Sequence, residues 1–150
     1  MVKTIAVNRK ARHDYHIDKT FEAGIKLTGS EIKSIRLGGA NIGDCYVTIR
    51  ENEVYIINMH VKKYEQSSIF NHEETRTRKL LLNRREITNL SSHLNEKGNA
   101  IIPLKLYFKG SLLKVEIALA RGKKLHDKRE TLKERDMKRR VEKQLKYINK

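Results

Sequence analysis

Two stretches near the end of the chain alternate apolar and polar positions. Leu113, Val115, Ile117 and Leu119 interleave with Lys114, Glu116 and Ala118. Upstream, Ile102, Leu104, Leu106 and Phe108 interleave with Pro103, Lys105, Tyr107 and Lys109. A period of two places each apolar set on one face of a strand. Gly110-Ser111 lies between the runs and predicts a two-residue hairpin turn. Pro103 has no N–H for a ladder, so it is expected at a strand start or an edge. A second hairpin is predicted from Cys45–Arg50 to Glu53–Met59 through Glu51-Asn52, with further strands over Tyr15–Leu27 and Arg78–Leu82.

Two segments break this period. Ser30–Leu37 offers Ser30 as an N-cap and turns Ile32 and Ile35 inward before Gly38-Gly39. Arg84–Lys97 sets Ile87, Leu90 and Leu94 on one face and stops at Gly98. Short strands, turn signals and few helices predict a mainly β fold with α: a small antiparallel β-barrel with about two to three helices.

The last part of the chain has another character. From Lys123 to Lys150 there is no Gly or Pro, and Glu134–Lys138, Asp136–Arg140 and Glu142–Lys146 each set an acid four residues before a base. Such pairs add about 0.2–0.5 kcal/mol each to a helix. The apolar stripe of Leu132, Met137, Val141, Leu145 and Ile148 is thin. So little burial does not offset the ordering cost in water, and the segment is expected to be disordered when free and helical when bound. The expected division is a β-barrel domain over residues 1–122 and a basic C-terminal tail over 123–150.

Charge sharpens that division. The 150 residues carry 33 Lys and Arg against 18 Asp and Glu, a formal net charge of +15. Residues 121–150 hold 13 of those bases and 5 of the acids, so a fifth of the chain carries more than half the excess. Self-repulsion on this scale opposes compaction, and a polyanionic partner is the physical offset. Nucleic acid leads, and an anionic membrane surface is second. No apolar run approaches the roughly 20 residues that span a bilayer, and Asn8-Arg9-Lys10 interrupts the N-terminal run too early for a signal peptide. A lone cysteine, Cys45, excludes an internal disulfide and suits a reducing compartment. A cytoplasmic location is expected, with no membrane association.

Candidate chemistry is sparse. His13 and His16 lack the cysteine pair or second histidine cluster that would complete a metal site, so solvent-exposed or RNA-facing roles are favoured. Gly38-Gly39-Ala40-Asn41-Ile42-Gly43 lacks the Lys-Ser/Thr of a phosphate loop and is better taken as a helix end and turn. Nothing makes Glu22 and Glu31 converge as an acid–base pair. Cys45 has no nearby base and suits packing better than nucleophilic attack. The sequence calls for no cofactor, no metal and no catalytic role. The basic clusters Arg9-Lys10-Ala11-Arg12-His13, Arg76-Thr77-Arg78-Lys79 and Arg121-Gly122-Lys123-Lys124 are dense, with Tyr15 and Tyr107 near in sequence or pattern. Guanidinium groups grip phosphates and aromatic rings stack on unpaired bases, so the set points to RNA. Arg9, Lys10, Arg12, Arg76, Arg78 and Lys79 are assigned to RNA on charge.

At these clusters the sequence resembles the SsrA-binding protein (SmpB) family, from about Asn8 to the C-terminus. The resemblance rests on Asn8-Arg9-Lys10-Ala11 with His13 and Tyr15, on Phe21-Glu22-Ala23-Gly24-Ile25, and on Gly29-Ser30-Glu31-Ile32-Lys33-Ser34. It continues through Arg76-Thr77-Arg78-Lys79-Leu80-Leu81-Leu82 to Gly122-Lys123-Lys124, His126-Asp127-Lys128-Arg129 and Lys133-Glu134-Arg135-Asp136. It implies an oligonucleotide-binding-like barrel that binds the tRNA-like part of transfer-messenger RNA and stands in for that RNA's missing anticodon arm. Asn8, His13, Glu22 and Leu81 match family positions that hold the RNA. Glu22, being anionic, either accepts from sugar or base donors or buttresses a neighbouring arginine.

The resemblance also implies that Gly122, Lys123, Lys124, His126, Asp127, Lys128 and Arg129 lie near the decoding centre of the small ribosomal subunit. Lys133, Arg135 and the rest of the tail would enter the mRNA channel when the message has ended. Elongation factor Tu and alanyl-tRNA synthetase are implied partners through the shared RNA, and the protein is expected to be a monomer. Glu74 stands where the family often has proline, Met137 where many relatives have tryptophan, and Gln144 in a pair that is usually apolar. A generic ribosomal protein or RNA chaperone of the same barrel class is the alternative among binding proteins. An RNA-processing enzyme is the alternative of another class.

Overall fold

A computed structural model describes residues 2–64 and 72–122. Its elements are β1 (Val2–Val7), α1 (Ala11–Asp14), β2 (Tyr15–Ile25), α2 (Gly29–Arg36), β3 (Ala40–Asn41), β4 (Tyr46–Arg50), β5 (Glu53–Ile57), β6 (His60–Val61), β7 (Arg78–Leu81), α3 (Arg84–Leu94), β8 (Asn99–Lys109) and β9 (Leu112–Gly122). The fold is mainly β with three helices among the described residues. The expectations for a helical tail, and for Lys123, Lys124, His126, Asp127, Lys128, Arg129, Lys133 and Arg135, lie outside the described residues.

Seven strands pair in the order β1-β8-β4-β5-β7-β2-β9, and β9 pairs again with β8. All pairings are antiparallel. Both predicted hairpins form. In the β4–β5 turn, Glu51 and Asn52 both have positive φ, 51° and 63°, the backbone twist that suits a two-residue hairpin. In the β8–β9 turn Gly110 takes φ 64°.

β8 departs from the simple alternation. Ile101, Leu106 and Phe108 join the main core, whereas Ile102 and Leu104 join a smaller cluster with Ala11, Ala118 and Ala120. The cause is a register shift between Pro103 and Lys105, where one extra residue flips the faces. Pro103 is therefore neither at a strand start nor at an outer edge. It is buried inside β8, between the segment paired with β1 (Lys105–Lys109) and the pairing with β4 at Ile101. A bulge is one of the few interior places that tolerate a missing N–H.

The helices begin where side chains can cap them. α2 is capped by Thr28 rather than Ser30: the Thr28 hydroxyl accepts from the Glu31 N–H, and Glu31 Oε1 accepts from the Thr28 N–H at 2.9 Å. That reciprocal pair is a capping box. Ile35 is buried as expected, but its companions on the buried face are Glu31 and Ser34, while Ile32 is only half-buried. Asn83 and Glu86 form the same box on α3, which ends at Leu94, short of the expected Lys97. Leu90 is buried in the main core, with Ile87 and Leu94 packed against it.

Candidate nucleic-acid interface

The first predicted cluster is built on the outer face of β8 and β9. Ala11, only 2% exposed, seats α1 against Ile102, Leu104, Ala118 and Ala120. Asn8 anchors the approach to this helix. Its N–H donates to Leu104 O at 2.8 Å and its Nδ2 to Pro103 O at 3.0 Å. Asn8 is 8% exposed, so its role here is to fix the segment rather than to present a free amide. Its Oδ1 is buried without a partner, as is His13 Nε2. His13 Nδ1 lies 2.8 Å from Asp14 Oδ1. Pinned in this way, the segment leaves Arg9, Lys10 and Arg12 exposed. A cavity of about 320 Å³ opens beside it, lined by Asn8, Lys10, Asp14, Tyr15, Asp44 and Cys45 among others.

Glu22 lies on another part of the outer surface. It stands opposite Glu116 on β9, and Tyr107 reaches over from β8 to donate its hydroxyl to Glu22 Oε2 at 2.6 Å. Lys109 Nζ approaches Oε1 at 3.7 Å. The Tyr107 hydrogen bond is the main cause that holds the Glu22 carboxyl below the ordinary carboxylate range, while burial and then Glu22 push the Tyr107 phenol up. Lys105 lies over the Tyr107 ring, 5.1 Å from its centroid, and 3.5 Å from Glu116. Among the described residues Glu22 is thus set beside lysines and a tyrosine, not beside an arginine. Lys105 and Lys109 were not among the expected RNA-binding residues, although sharing one face of β8 with Tyr107 is a signal that could have marked them.

The second predicted cluster, Arg76-Thr77-Arg78-Lys79, divides between surface and interior. Arg78 was expected on the RNA face, and that expectation is corrected: the residue is 0% exposed. Its Nε donates to Glu31 Oε2; Nη1 donates to Met59 O at 2.6 Å and Arg76 O at 2.9 Å; Nη2 donates to Glu74 O at 3.3 Å and Glu73 O at 3.5 Å. All five donors of the guanidinium are engaged within the protein. Burial alone would raise the Glu31 carboxyl, but hydrogen bonds from Arg76, the Thr28 N–H and Arg78 outweigh it and hold the group low. Arg76 is more accessible and gives Nη2 to Glu31 Oε1 at 2.6 Å. Lys79 and Leu81 point the other way. Lys79 Nζ pairs with Glu53 Oε1 at 2.8 Å, and Leu81 is 52% exposed.

The structure also accounts for the chemistries set aside above. Glu22 and Glu31 belong to separate networks. Cys45 is buried, and its thiol is pushed up to about 12, chiefly by burial and then by the charge of Asp44. Gly38 ends α2 at φ 83°. Glu74 Oε2 lies 2.9 Å from His60 Nε2, and the Glu74 carbonyl accepts from the Val61 N–H. Among the described residues no three His, Cys, Asp or Glu side chains converge on a metal-sized site, and no helix is long and apolar enough to cross a membrane. Gly122, the last described residue, donates its N–H to Gly98 O at 3.1 Å.

Fold and surface define a class: a small antiparallel β protein whose buried charges serve the fold and whose exposed cations surround it. The family model described as SmpB protein matches residues 5–147, and the chain belongs to the SmpB family. It is 54% identical to the SsrA-binding protein of Thermoanaerobacter pseudethanolicus, covering 97% of this chain and 93% of that protein. It is 57% identical to the SsrA-binding protein of Acholeplasma laidlawii, covering 97% of each. A chain in the solved structure "tmRNA-SmpB: a journey to the center of the bacterial ribosome" superposes with a TM-score of 0.68 at 40% identity, over 84% of this chain and 92% of that one.

Proposed function

We propose that the chain binds the tRNA-like part of transfer-messenger RNA and delivers it to stalled ribosomes for trans-translation, so that the nascent chain is tagged and the ribosome is released. The observation that carries this reading is the SmpB match over residues 5–147, which spans both the sheet and the basic tail. The pairing cycle β8-β4-β5-β7-β2-β9-β8 supports an oligonucleotide-binding-like barrel as the body. That body, residues 1–122, takes the place of the RNA's missing anticodon arm. On its outer face Arg9, Lys10 and Arg12 meet phosphates, Asn8 and His13 hold their segment in place, and Glu22 accepts from RNA donors. Arg76, Lys79 and Leu81 extend the interface. Arg78 is left out because its donors are already engaged.

The tail, residues 123–150, meets the small ribosomal subunit, with Gly122-Lys123-Lys124 and His126–Arg129 near the decoding centre and Lys133 and Arg135 in the vacant mRNA channel. Its ordering cost is offset only where no message competes for the same phosphates and space. Elongation factor Tu and alanyl-tRNA synthetase join through the shared RNA, and the protein acts as a cytoplasmic monomer without catalytic chemistry of its own. The test is to recover the chain from its host and sequence the RNA that copurifies. Strong enrichment of transfer-messenger RNA over tRNA is expected. Equal recovery of ordinary tRNA would instead favour a general RNA chaperone.

A further inference from the structure

The cavity of about 320 Å³ beside α1 has walls unlike the cationic surface around it. The loop between β3 and β4, Gly43-Asp44-Cys45, forms one wall together with Tyr46 at the start of β4. Asn8, Lys10 and Tyr15 belong to the other. Asp44 is exposed and, among the described residues, has no hydrogen-bond or ion-pair partner. Tyr46 is 47% exposed. The Asn8 amide is oriented by Nδ2, which donates to Pro103 O at 3.0 Å, so Oδ1 is the branch left over. That oxygen is buried without a donor, on a residue only 8% exposed. A buried acceptor left unpaired is costly, and such orphans mark places where a ligand can complete the pairing.

Two acceptors, a carboxylate and an amide oxygen, therefore border one cleft in a chain of formal net charge +15. Phosphate does not match it, because the Asp44 carboxylate repels an anion. A cationic ligand does not match it either, since Lys10 lines the same cleft and the whole chain repels it. What fits is a neutral, flat group rich in donors. Among nucleobases, guanine alone sets two donors side by side, N1–H and N2–H, on its Watson–Crick edge. Adenine and cytosine place an acceptor next to their amino group, and uracil has one donor between two acceptors. A carboxylate accepts two parallel N–H bonds, as it does from an arginine fork. The second hydrogen of the guanine amino group is then free for Asn8 Oδ1. Tyr46 offers a ring face of the kind on which unpaired bases stack. The bland account, a wet crevice beside a surface aspartate, leaves the orphaned Oδ1 unexplained.

We propose that this cleft seats one unpaired guanine of the bound RNA. Its N1–H and one N2–H go to the Asp44 carboxylate, its other N2–H goes to Asn8 Oδ1, and its ring stacks on Tyr46. The inference rests on the function proposed above and adds base selectivity to a surface otherwise made of phosphate contacts. Oδ1 is closed off in the free chain, so the base enters by parting the Gly43-Asp44 loop from the Asn8–Lys10 segment.

The test measures binding of the full chain to the labelled tRNA-like RNA fragment by fluorescence anisotropy. Charge alone predicts that Asp44→Asn, which removes a negative group from an RNA-binding surface, tightens binding. A guanine contact predicts the opposite sign: a loss of roughly ten- to a hundredfold. The salt slope should stay the same, because no phosphate contact is removed. Inosine, which lacks the 2-amino group, is then placed at each unpaired guanosine of the fragment in turn. One position is expected to weaken wild-type binding roughly tenfold and to have little further effect in Asp44→Asn. Tyr46→Phe should bind like wild type and Tyr46→Ala should bind more weakly, with unchanged circular dichroism in both. Unchanged or tighter binding by Asp44→Asn overturns the proposal. So does a fragment in which no inosine matters, or an inosine effect that persists in full in Asp44→Asn, since the base would then be read elsewhere. GMP should compete only weakly, because it lacks the flanking phosphates. Binding of GMP as tight as that of the RNA would overturn the proposal in favour of a free nucleotide. If wild type fails to bind the tRNA-like fragment, the function proposed above fails. Titration with a short single strand carrying one guanine, against the same strand carrying inosine, still decides this cleft.

Discussion

Arg78 shows how a cation in a basic run becomes part of a core. Glu31 and Arg78 are both fully buried and paired, and Arg76 completes the network from the surface. Removing one member strands the other charge, whereas replacing both does not. Arg78→Ala is expected to cost about 3–5 kcal/mol of stability, measured by denaturant unfolding. The paired Glu31→Met with Arg78→Met change should cost clearly less. The same network sets a pH dependence. Glu31 is held below its ordinary value of 4.5, so its contribution is present above that value and is lost as pH falls through the lower folded one. Glu31→Gln should unfold with a shallower loss of stability below pH 4.5 than wild type, though from a lower starting point. On the outer surface, Glu22→Gln should weaken RNA binding by roughly ten- to a hundredfold if its charge accepts from RNA. Tyr107→Phe should weaken it less, and the double variant no more than Glu22→Gln alone, because Tyr107 acts through Glu22.

At the scale of elements, the alternation of β9, both hairpins and α3 were legible because each has a strong local signal. The strand β7 was legible too, but not the role of its first residue. Its residues alternate Arg78 in, Lys79 out, Leu80 in, Leu81 out, so sharing a face with Leu80 already marks Arg78 as interior. In a run this rich in cations, charge density masks the period. The bulge at Pro103 was hidden because one unpaired residue leaves both halves of β8 looking like a single alternating run. No comparable signal marks β1, α1, β3 or β6: β1 is mostly exposed, and the others run to only two or four residues. Such short pieces are fixed by tertiary partners, not by their own pattern. The β4–β5 turn offers a direct check. Glu51 sits at φ 51°, a conformation that costs an ordinary residue roughly 1–2 kcal/mol. Glu51→Asn with Asn52→Gly should therefore raise stability by about 1 kcal/mol without altering RNA binding, as read by thermal unfolding beside an RNA titration.

For the whole molecule, the decisive feature is how positive charge is divided. The described body carries cations on more than one side, and the last thirty residues, Arg121 included, hold 13 of the 33 Lys and Arg. An interface made largely of phosphate contacts releases counterions, so RNA affinity should fall steeply with salt, by roughly −0.7 to −0.9 in log–log slope per phosphate neutralised. The candidate site was legible as clusters of Arg and Lys, but charge density alone did not separate the cations that face solvent from Arg78, which supports the core. The carbonyls and the carboxylate that satisfy Arg78 are brought within reach only by the fold.

The most direct measurement is a truncation after Lys124, assayed on ribosomes stalled at the end of a broken message. The body should still bind the tRNA-like RNA with affinity close to that of the full chain, while tagging of the nascent chain disappears. If the truncated protein loses the RNA, or if tagging continues without residues 125–150, the division between an RNA-holding body and a ribosome-probing tail is wrong.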